Sequence, residues 1–227
     1  MIEHDAQTKH PLSWFLNGIG AQVFEKEIAS LNTTLESCNI SRLLQLGAPP
    51  LITYHPKFHY VHLDNENNFA TLGHNVVSSF TEIGLTSGCA DLIVIPHLQE
   101  LHSNFKEVLT EVFRVLSDDG VVVIFGFNPV SLWGVQRVLG LGSVVPWCNR
   151  FFSAATVIKV FEDKDFTYIG KSSFFSGIYS EYPFVYSINN IFEKFSLDSG
   201  GAVYKLTFQK RVSTMTLNTE RSIYFSP

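Results

Sequence analysis

The sequence is poor in cysteine and lacks the spacings that make cysteine useful. Its 227 residues contain three cysteines, Cys38, Cys89 and Cys148, which lie far apart and form no CxxC pair. An odd number of scattered thiols argues against a disulfide framework and against a thiolate metal site. Reduced thiols of this kind are typical of a cytoplasmic protein, and we expect that location.

Segments for secretion or membrane insertion are also missing. The first fifteen residues, MIEHDAQTKHPLSWF, have no basic region followed by an apolar stretch. The apolar run from Val121 to Phe127 is too short to cross a bilayer. We therefore expect a soluble protein with no membrane partner.

Charge is sparse, since charged residues make up 16% of the chain and the formal net charge is −5. A mildly acidic chain has no clear nucleic-acid signature, although a local basic groove would be compatible with it. Neither a partner nor an oligomeric state is predicted.

Several catalytic motifs are absent. The sequence has no GxGxxG, which argues against a dinucleotide oxidoreductase, and no GxSxG. Gly170-Lys171-Ser172 ends like a P-loop, but Asp165 stands where the first glycine is needed. His55, His59 and His62 near Asp64 suggest a metal cluster, yet His59 and His62 would face opposite sides of a strand. We predict no metal.

What is present is apolar material for one core, at 45% of the residues. Length and composition predict a single α/β domain over residues 1–211, with a loose segment 1–13 and a flexible tail 212–227. Periodicity predicts helices at 18–37, 104–116, 131–139 and 153–163. It predicts strands at 42–47, 58–64, 76–80, 90–96, 121–127, 165–170 and 202–209.

The most informative segment runs from Ala90 to Phe127. Two continuously apolar strands, 90–96 and 121–127, flank the amphipathic helix 104–116. Strands that are apolar on both faces belong inside a parallel sheet covered by helices. Ligands of such sheets bind beyond the carboxyl ends of the strands. This places a site near Gly47, Asp64, 96–98 and 126–129.

A family resemblance rests on the same segment. The strand Ala90-Asp91-Leu92-Ile93-Val94, the turn His97-Leu98-Gln99-Glu100-Leu101 and the helix that carries Glu111-x-x-Arg114-x-Leu116 resemble class I S-adenosylmethionine-dependent methyltransferases of the type 11 group. Gly126-Phe127-Asn128-Pro129, followed by Ser131 and Trp133-Gly134, is similar to an uncharacterised bacterial subgroup. The resemblance implies a Rossmann-like fold with a mostly parallel sheet and helices on both faces.

The resemblance also implies S-adenosylmethionine as cofactor. The glycine motif of that family is an acid followed by three glycines at alternate positions. The corresponding residues here are Gln45, Gly47, Pro49 and Leu51, so this chain has one of the three glycines. Pro49 has no N–H to offer a ligand. The acid for the ribose corresponds to Asp64. The adenine position falls near Ser79 and Glu82, and Pro96 with His97 completes the predicted cofactor site.

Candidates for catalysis are few, because methyl transfer from a sulfonium depends mainly on alignment. His97 could accept a substrate proton, and Asn128 could position a substrate. Trp133 could stack against a planar substrate, or pack in the core. The aromatic-rich segment 172–196 could cap a substrate pocket, or belong to the core or a dimer face.

Two hypotheses follow. The first is a methyltransferase that acts on an unknown acceptor. The second is a methyltransferase-fold protein that has lost the cofactor and serves as a binding or interaction module, which the single remaining glycine favours.

Overall fold

A computed structural model describes residues 11–52, 57–64, 74–139, 145, 150–175 and 201–211. Its helices are α1 (Pro11–Phe15), α2 (Gly18–Ser37), α3 (Leu98–Leu101), α4 (Phe105–Val115), α5 (Leu132–Val138) and α6 (Ala154–Glu162). Its strands are β1 (Arg42–Leu46), β2 (His59–Asp64), β3 (His74–Val77), β4 (Ala90–Pro96), β5 (Leu116–Phe127), β6 (Phe166–Phe174) and β7 (Val203–Lys210).

These strands form one seven-stranded sheet in the order β3-β2-β1-β4-β5-β7-β6. Strands β1 to β5 are parallel to one another, whereas β7 is antiparallel to both β5 and β6. The predicted strand–helix–strand unit is confirmed, because β4 and β5 pair in parallel from Ile93↔Val122 to Pro96↔Phe125. The predicted α/β class with a mostly parallel sheet is likewise confirmed.

Continuous apolar strands arise because helices cover both faces of the sheet. Along β4, Ile93 and Ile95 pack in one cluster with α4 and α6, while Leu92 and Val94 pack in another with α2. A third cluster, which includes Phe15, Phe127 and Trp133, joins α1 to α5 beyond the ends of the strands. The core therefore lies in two layers, with the ligand edge of the sheet beneath α1 and α2.

Several boundaries differ from the prediction: β3 ends at Val77 rather than at 80, β6 extends to Phe174 rather than to 170, and α3 was not predicted. Strand β5 begins at Leu116 rather than at the predicted Val121, so Asp118, Asp119 and Gly120 lie inside the strand. Leu116 is buried and pairs with Ala90, and the register shifts between Ala90 and Leu92 to absorb the extra residues. At the N-terminus, α1 lies partly within the segment predicted to be loose.

The crossover from β1 to β2 is short. It runs from Gly47 to Phe58 and contains no helix in its described parts, 47–52 and 57–58. By contrast, α3 and α4 connect β4 to β5. No helix within the described ranges combines the length and hydropathy that crossing a bilayer requires. The predicted tail 212–227 and most of the aromatic-rich segment 172–196, from residue 176 onward, lie outside the described residues.

The Glu-x-x-Arg pair of α4 holds the connection between β3 and β4. Arg114 donates to the carbonyls of Leu85 and Ile83, both at 2.8 Å, and forms an ion pair with Glu111. Glu111 in turn accepts the backbone N–H of Ile83 at 2.8 Å. This ion pair keeps the pKa of Glu111 below its ordinary value. The motif therefore has a structural role in this chain.

Candidate functional site

The predicted ligand segments converge at the carboxyl edge of the sheet. Leu46 is paired with Leu63, Asp64 with Val77, and Pro96 with Phe125, so the carboxyl ends of five parallel strands lie side by side. Backbone bonds extend these pairings beyond the strands, since His97 N–H donates to the carbonyl of Phe125 at 3.0 Å. The edge thus brings together the regions of Gly47, Asp64, Ser79 and His97.

The loop after β1 is organised by the side chain of Gln45. Its amide nitrogen donates to the carbonyls of Gly47 and Pro49, at 3.0 and 2.7 Å, and its oxygen accepts the N–H of Leu51 at 3.0 Å. The Gln45 side chain is fully buried. Gln45 therefore replaces the acid of the family motif with a group that both donates to and accepts from its own loop.

Gly47 is held from several sides. Its φ of +81° is a left-handed conformation that side chains rarely adopt. Its N–H donates to the Leu63 carbonyl at 2.9 Å, and its own carbonyl lies 2.9 Å from Nε2 of buried His62. A Cβ at this position would lie 3.1 Å from Leu98 Cδ1. Little room remains beside this glycine.

A cavity of about 400 Å³ opens where the resemblance predicts the adenine. It lies between the segment after β3 and the start of α4, and its lining residues are Ser78, Ser79, Phe80, Thr81, His102, Ser103, Asn104 and Val108. Phe80 and His102 form an edge-to-face pair with ring centroids 4.9 Å apart. A flat apolar surface surrounded by hydroxyl groups suits a polar heterocycle.

The predicted acids take different positions at this edge. Asp64 is half-buried at the end of β2, and its carbonyl accepts the N–H of Ser78, which lines the cavity. Glu82 is exposed, and its carbonyl accepts the Ser78 hydroxyl at 3.1 Å. Ser79 lines the cavity itself, so it is the member of the predicted adenine site that the structure brings to a ligand-sized space.

His97 lies in a fully buried cluster with two glutamates. It has a left-handed φ of 53°, and its Nε2 lies 2.8 Å from Oε1 of Glu27 on α2. Its Nδ1 lies 3.8 Å from Oε2 of Glu100 on α3. All three side chains have no solvent exposure, and the His97 ring stacks on Phe127 with centroids 4.2 Å apart. We call this group the His97 cluster.

Burial and mutual attraction set the ionisation of the His97 cluster. Burial raises the pKa of Glu100 to about 7, and it also raises the pKa of Glu27 despite the opposing charge of His97. Burial alone would lower the pKa of His97, but the two neighbouring carboxylates outweigh it and the pKa is raised. The two glutamates of the cluster therefore keep their protons to a higher pH than isolated carboxyl groups do.

Sequence reasoning identified His97 but missed its two partners. Glu27 follows Val23 and precedes Leu31 at four-residue intervals, and all three are buried. A carboxylate in the apolar stripe of an amphipathic helix is the signal that marks it. Glu100 lies three residues after His97 and accepts the N–H of Phe127 at 2.8 Å.

Asn128 and Trp133 are both engaged in the structure of the loop after β5. The Asn128 amide donates to the Gly201 carbonyl at 3.1 Å and accepts the N–H of Val130 at 3.1 Å. Trp133 is 2% exposed and lies 5.7 Å from the ring of Phe175. In this arrangement both side chains hold α5 and the segment 201–203 against the end of β5.

S-adenosylmethionine fits this edge only in part. The cavity offers hydroxyl groups and an aromatic face to an adenosine group. The loop after β1 does not fit the amino-acid group, because the Gly47 N–H, the Gly47 carbonyl and the Leu51 N–H are bonded within the protein. Pro49 and Pro50 have no N–H.

Comparisons with known proteins agree with the topology. No family model matches the chain. The uncharacterized protein YafS of Escherichia coli (strain K12) is 26% identical over 143 residues, which are 62% of this chain and 50% of YafS. The match thus spans half the length of that relative.

Solved structures match over most of their length. A SAM-dependent methyltransferase from Archaeoglobus fulgidus aligns with a TM-score of 0.61 at 18% identity, over 82% of this chain and 94% of that chain. One from Thermotoga maritima gives 0.63 at 14% identity, over 87% and 93%. The plantazolicin methyltransferase BamL, crystallised with SAH, gives 0.57 at 14% identity, over 92% and 97%. The chain therefore has the fold of the class I S-adenosylmethionine-dependent methyltransferases.

Proposed function

We propose that this protein is an S-adenosylmethionine-dependent methyltransferase of the cytoplasm. The proposal depends mainly on one observation, the cavity between the end of β3 and the start of α4. It lies at the carboxyl edge, where sheets of this kind bind their ligands. The structural neighbours described above, one of them with SAH bound, support a ligand of this class.

The chain's own residues have definable roles in this proposal. Ser79 and Thr81 supply hydroxyl donors and acceptors to the cavity, and Phe80 supplies an aromatic face. The clamp from Arg114 to Leu85 and Ile83 fixes the segment that carries these residues. When bound, the cofactor would supply an activated methyl group, and the protein would mainly orient the acceptor beside it.

Calorimetry with S-adenosylmethionine and S-adenosylhomocysteine tests the proposal. We expect the wild-type chain to bind both, and Ser79→Trp to bind neither, because the indole would fill the cavity. Ser41→Trp is the matched control, since Ser41 is exposed at the opposite, amino edge of the sheet. The proposal would be contradicted if both variants bound the ligands with equal affinity, or if the folded wild type gave no heat of binding at millimolar ligand.

A second candidate function is a binding module with a methyltransferase fold. The closed loop after β1, with Gln45 bonded to its own backbone, favours this alternative. A ligand that binds the folded state raises the melting temperature by mass action. The binding-module alternative therefore predicts that neither S-adenosylmethionine nor S-adenosylhomocysteine raises the melting temperature of this protein.

A further inference from the structure

The His97 cluster leaves acceptor atoms buried without donors. Oε2 of Glu27 and Oε2 of Glu100 accept no hydrogen bond from any described residue, although both side chains are fully buried. A buried acceptor with no donor costs about 1–3 kcal/mol, more when it is charged. Folded proteins rarely keep such atoms unless a ligand, an ion or a water satisfies them.

The charge of the cluster indicates which kind of donor is missing. With His97 protonated and both glutamates ionised, the cluster has a net charge of −1 within an apolar shell. Phe127 stacks on the imidazole, and the ring of Phe15 lies 5.3 Å from it. An uncompensated buried charge is strongly unfavourable, so a cationic donor would stabilise the ionised cluster more than a neutral one. The described residues contain no group of ligands arranged for a metal ion.

Position connects the cluster with the proposed ligand site. His97 directly precedes Leu98, whose side chain and that of Phe80 are the nearest atoms to a Cβ at Gly47. Phe80 also lines the cavity. The cluster therefore lies next to the loop whose polar groups are bonded internally, and it offers the acceptors that this loop lacks.

We propose that Glu27, His97 and Glu100 form a binding site for a protonated amino group. The ammonium donates to the two free carboxylate oxygens and neutralises the cluster. It comes either from an amine that accepts the methyl group or from the amino-acid part of the cofactor. This inference rests on the proposed function, which supplies both sources. The cluster is fully buried, with Phe15 of α1 beside His97 and Glu27 itself on α2, so an amino group can reach it only if these helices are displaced.

Three probes distinguish the sources by calorimetry on the full chain. S-adenosylhomocysteine contains the nucleoside and the amino group, 5′-methylthioadenosine contains the nucleoside alone, and ethylamine contains the amino group alone. The variants are Glu27→Gln and Glu100→Gln, with Glu107→Gln as control because Glu107 is exposed on α4. Melting temperatures establish that each variant is folded.

If the ammonium is that of the amino-acid part, S-adenosylhomocysteine binds at least tenfold more weakly to Glu100→Gln and Glu27→Gln than to the wild type. 5′-Methylthioadenosine then binds all variants alike. If the ammonium is that of an acceptor, ethylamine binds the wild type and Glu107→Gln but not the two cluster variants. Either pattern supports the inference.

The inference is overturned if S-adenosylhomocysteine affinity is the same in all variants and ethylamine binds none of them. In that case water satisfies the free oxygens. If ethylamine binds but no nucleoside ligand does, the proposed function is contradicted and the amine site is supported. If the nucleoside ligands bind equally well to the wild type and to the cluster variants, the proposed function is supported and the amine site is contradicted.

A pH series gives a readout that a purely structural role would not produce. Since burial raises the pKa of Glu100 to about 7, the cluster gains its net negative charge as the pH rises through that value. Affinity for the ammonium ligand should rise between pH 6 and pH 8, while that of 5′-methylthioadenosine stays constant. The charged groups that face His97 are Glu27 from α2 and Glu100 from α3. A flat profile for the ammonium ligand would count against the site.

Discussion

At the scale of single residues, the sequence predicted the position of Gln45 in the motif but not the hydrogen bonds that its side chain makes. The position was recognisable, because Gln45 precedes Gly47 at the spacing of the family's acid. The role of the Gln45 side chain could not be predicted, because a glutamine can form hydrogen bonds either to a ligand or to its own loop and the sequence does not distinguish these two cases. The partners of His97 were hidden for a related reason, because Glu27 lies 70 residues away in the chain.

Replacing Gln45 by glutamate should destabilise the protein, even though it restores the acid of the family motif. A carboxylate accepts the Leu51 N–H but cannot donate to the carbonyls of Gly47 and Pro49. Leaving a buried carbonyl without a donor costs about 1–3 kcal/mol. We expect urea unfolding to show a loss of about 2 kcal/mol or more. Gln22→Glu, on the half-buried side of α2, should change stability much less.

At the scale of elements, hydrophobic periodicity located nearly every helix and strand within a few residues. It succeeded because burial on two faces leaves long apolar strands, as in β4, and burial on one face leaves a helical stripe, as in α4. It failed at Leu116, where tertiary pairing with Ala90 extends the strand through polar residues that alone would predict a turn. Nor did periodicity predict the two shortest helices, α1, which begins at Pro11, and α3, which spans Leu98–Leu101.

Arg114→Lys should weaken the connection between α4 and the segment before β4. Lysine retains the charge but cannot bond to Glu111, Ile83 and Leu85 at once, because it lacks the planar fork of arginine. We expect the free energy of unfolding to fall by about 1–3 kcal/mol. Amide exchange should quicken at Ile83, whose N–H is bonded to Glu111. Lys106→Ala, at an exposed position of the same helix, is the control, and an equal loss there would refute the clamp.

At the scale of the molecule, the sequence predicted the class of fold but not the full order of the strands. Strands β4 and β5 could be placed together because one helical crossover joins them. The insertion of β7 between β5 and β6 depends on pairings between distant residues, from Phe127 with Val203 to Val121 with Gln209, and no local pattern encodes them.

Stability of the whole protein should decrease as the pH rises from 5 to 8.5. The folded state keeps the Glu100 proton up to about pH 7, whereas an unfolded chain releases it near 4.5, so the folded state binds more protons in this window. The raised pKa values of Glu27 and His97 act in the same direction. The loss due to Glu100 could reach about 3 kcal/mol.

Urea unfolding at several pH values measures this effect. The slope of stability against pH should be shallower in Glu100→Gln than in the wild type or in Glu107→Gln. Parallel slopes in all three proteins would show that Glu100 does not retain its proton in the folded state.

The late position of β7 in the chain has a consequence for biosynthesis. Seven residues of β5, from Val121 to Phe127, have their partners on β7, which the ribosome makes only after residue 202. Until then the emerging chain lacks the partner for the hydrogen-bonding edge of this apolar segment, and an unpaired strand edge is a template for aggregation. We therefore expect the part of the chain up to β5 to stay protected or only loosely folded during synthesis, because the sheet is complete only when β7 pairs with β5.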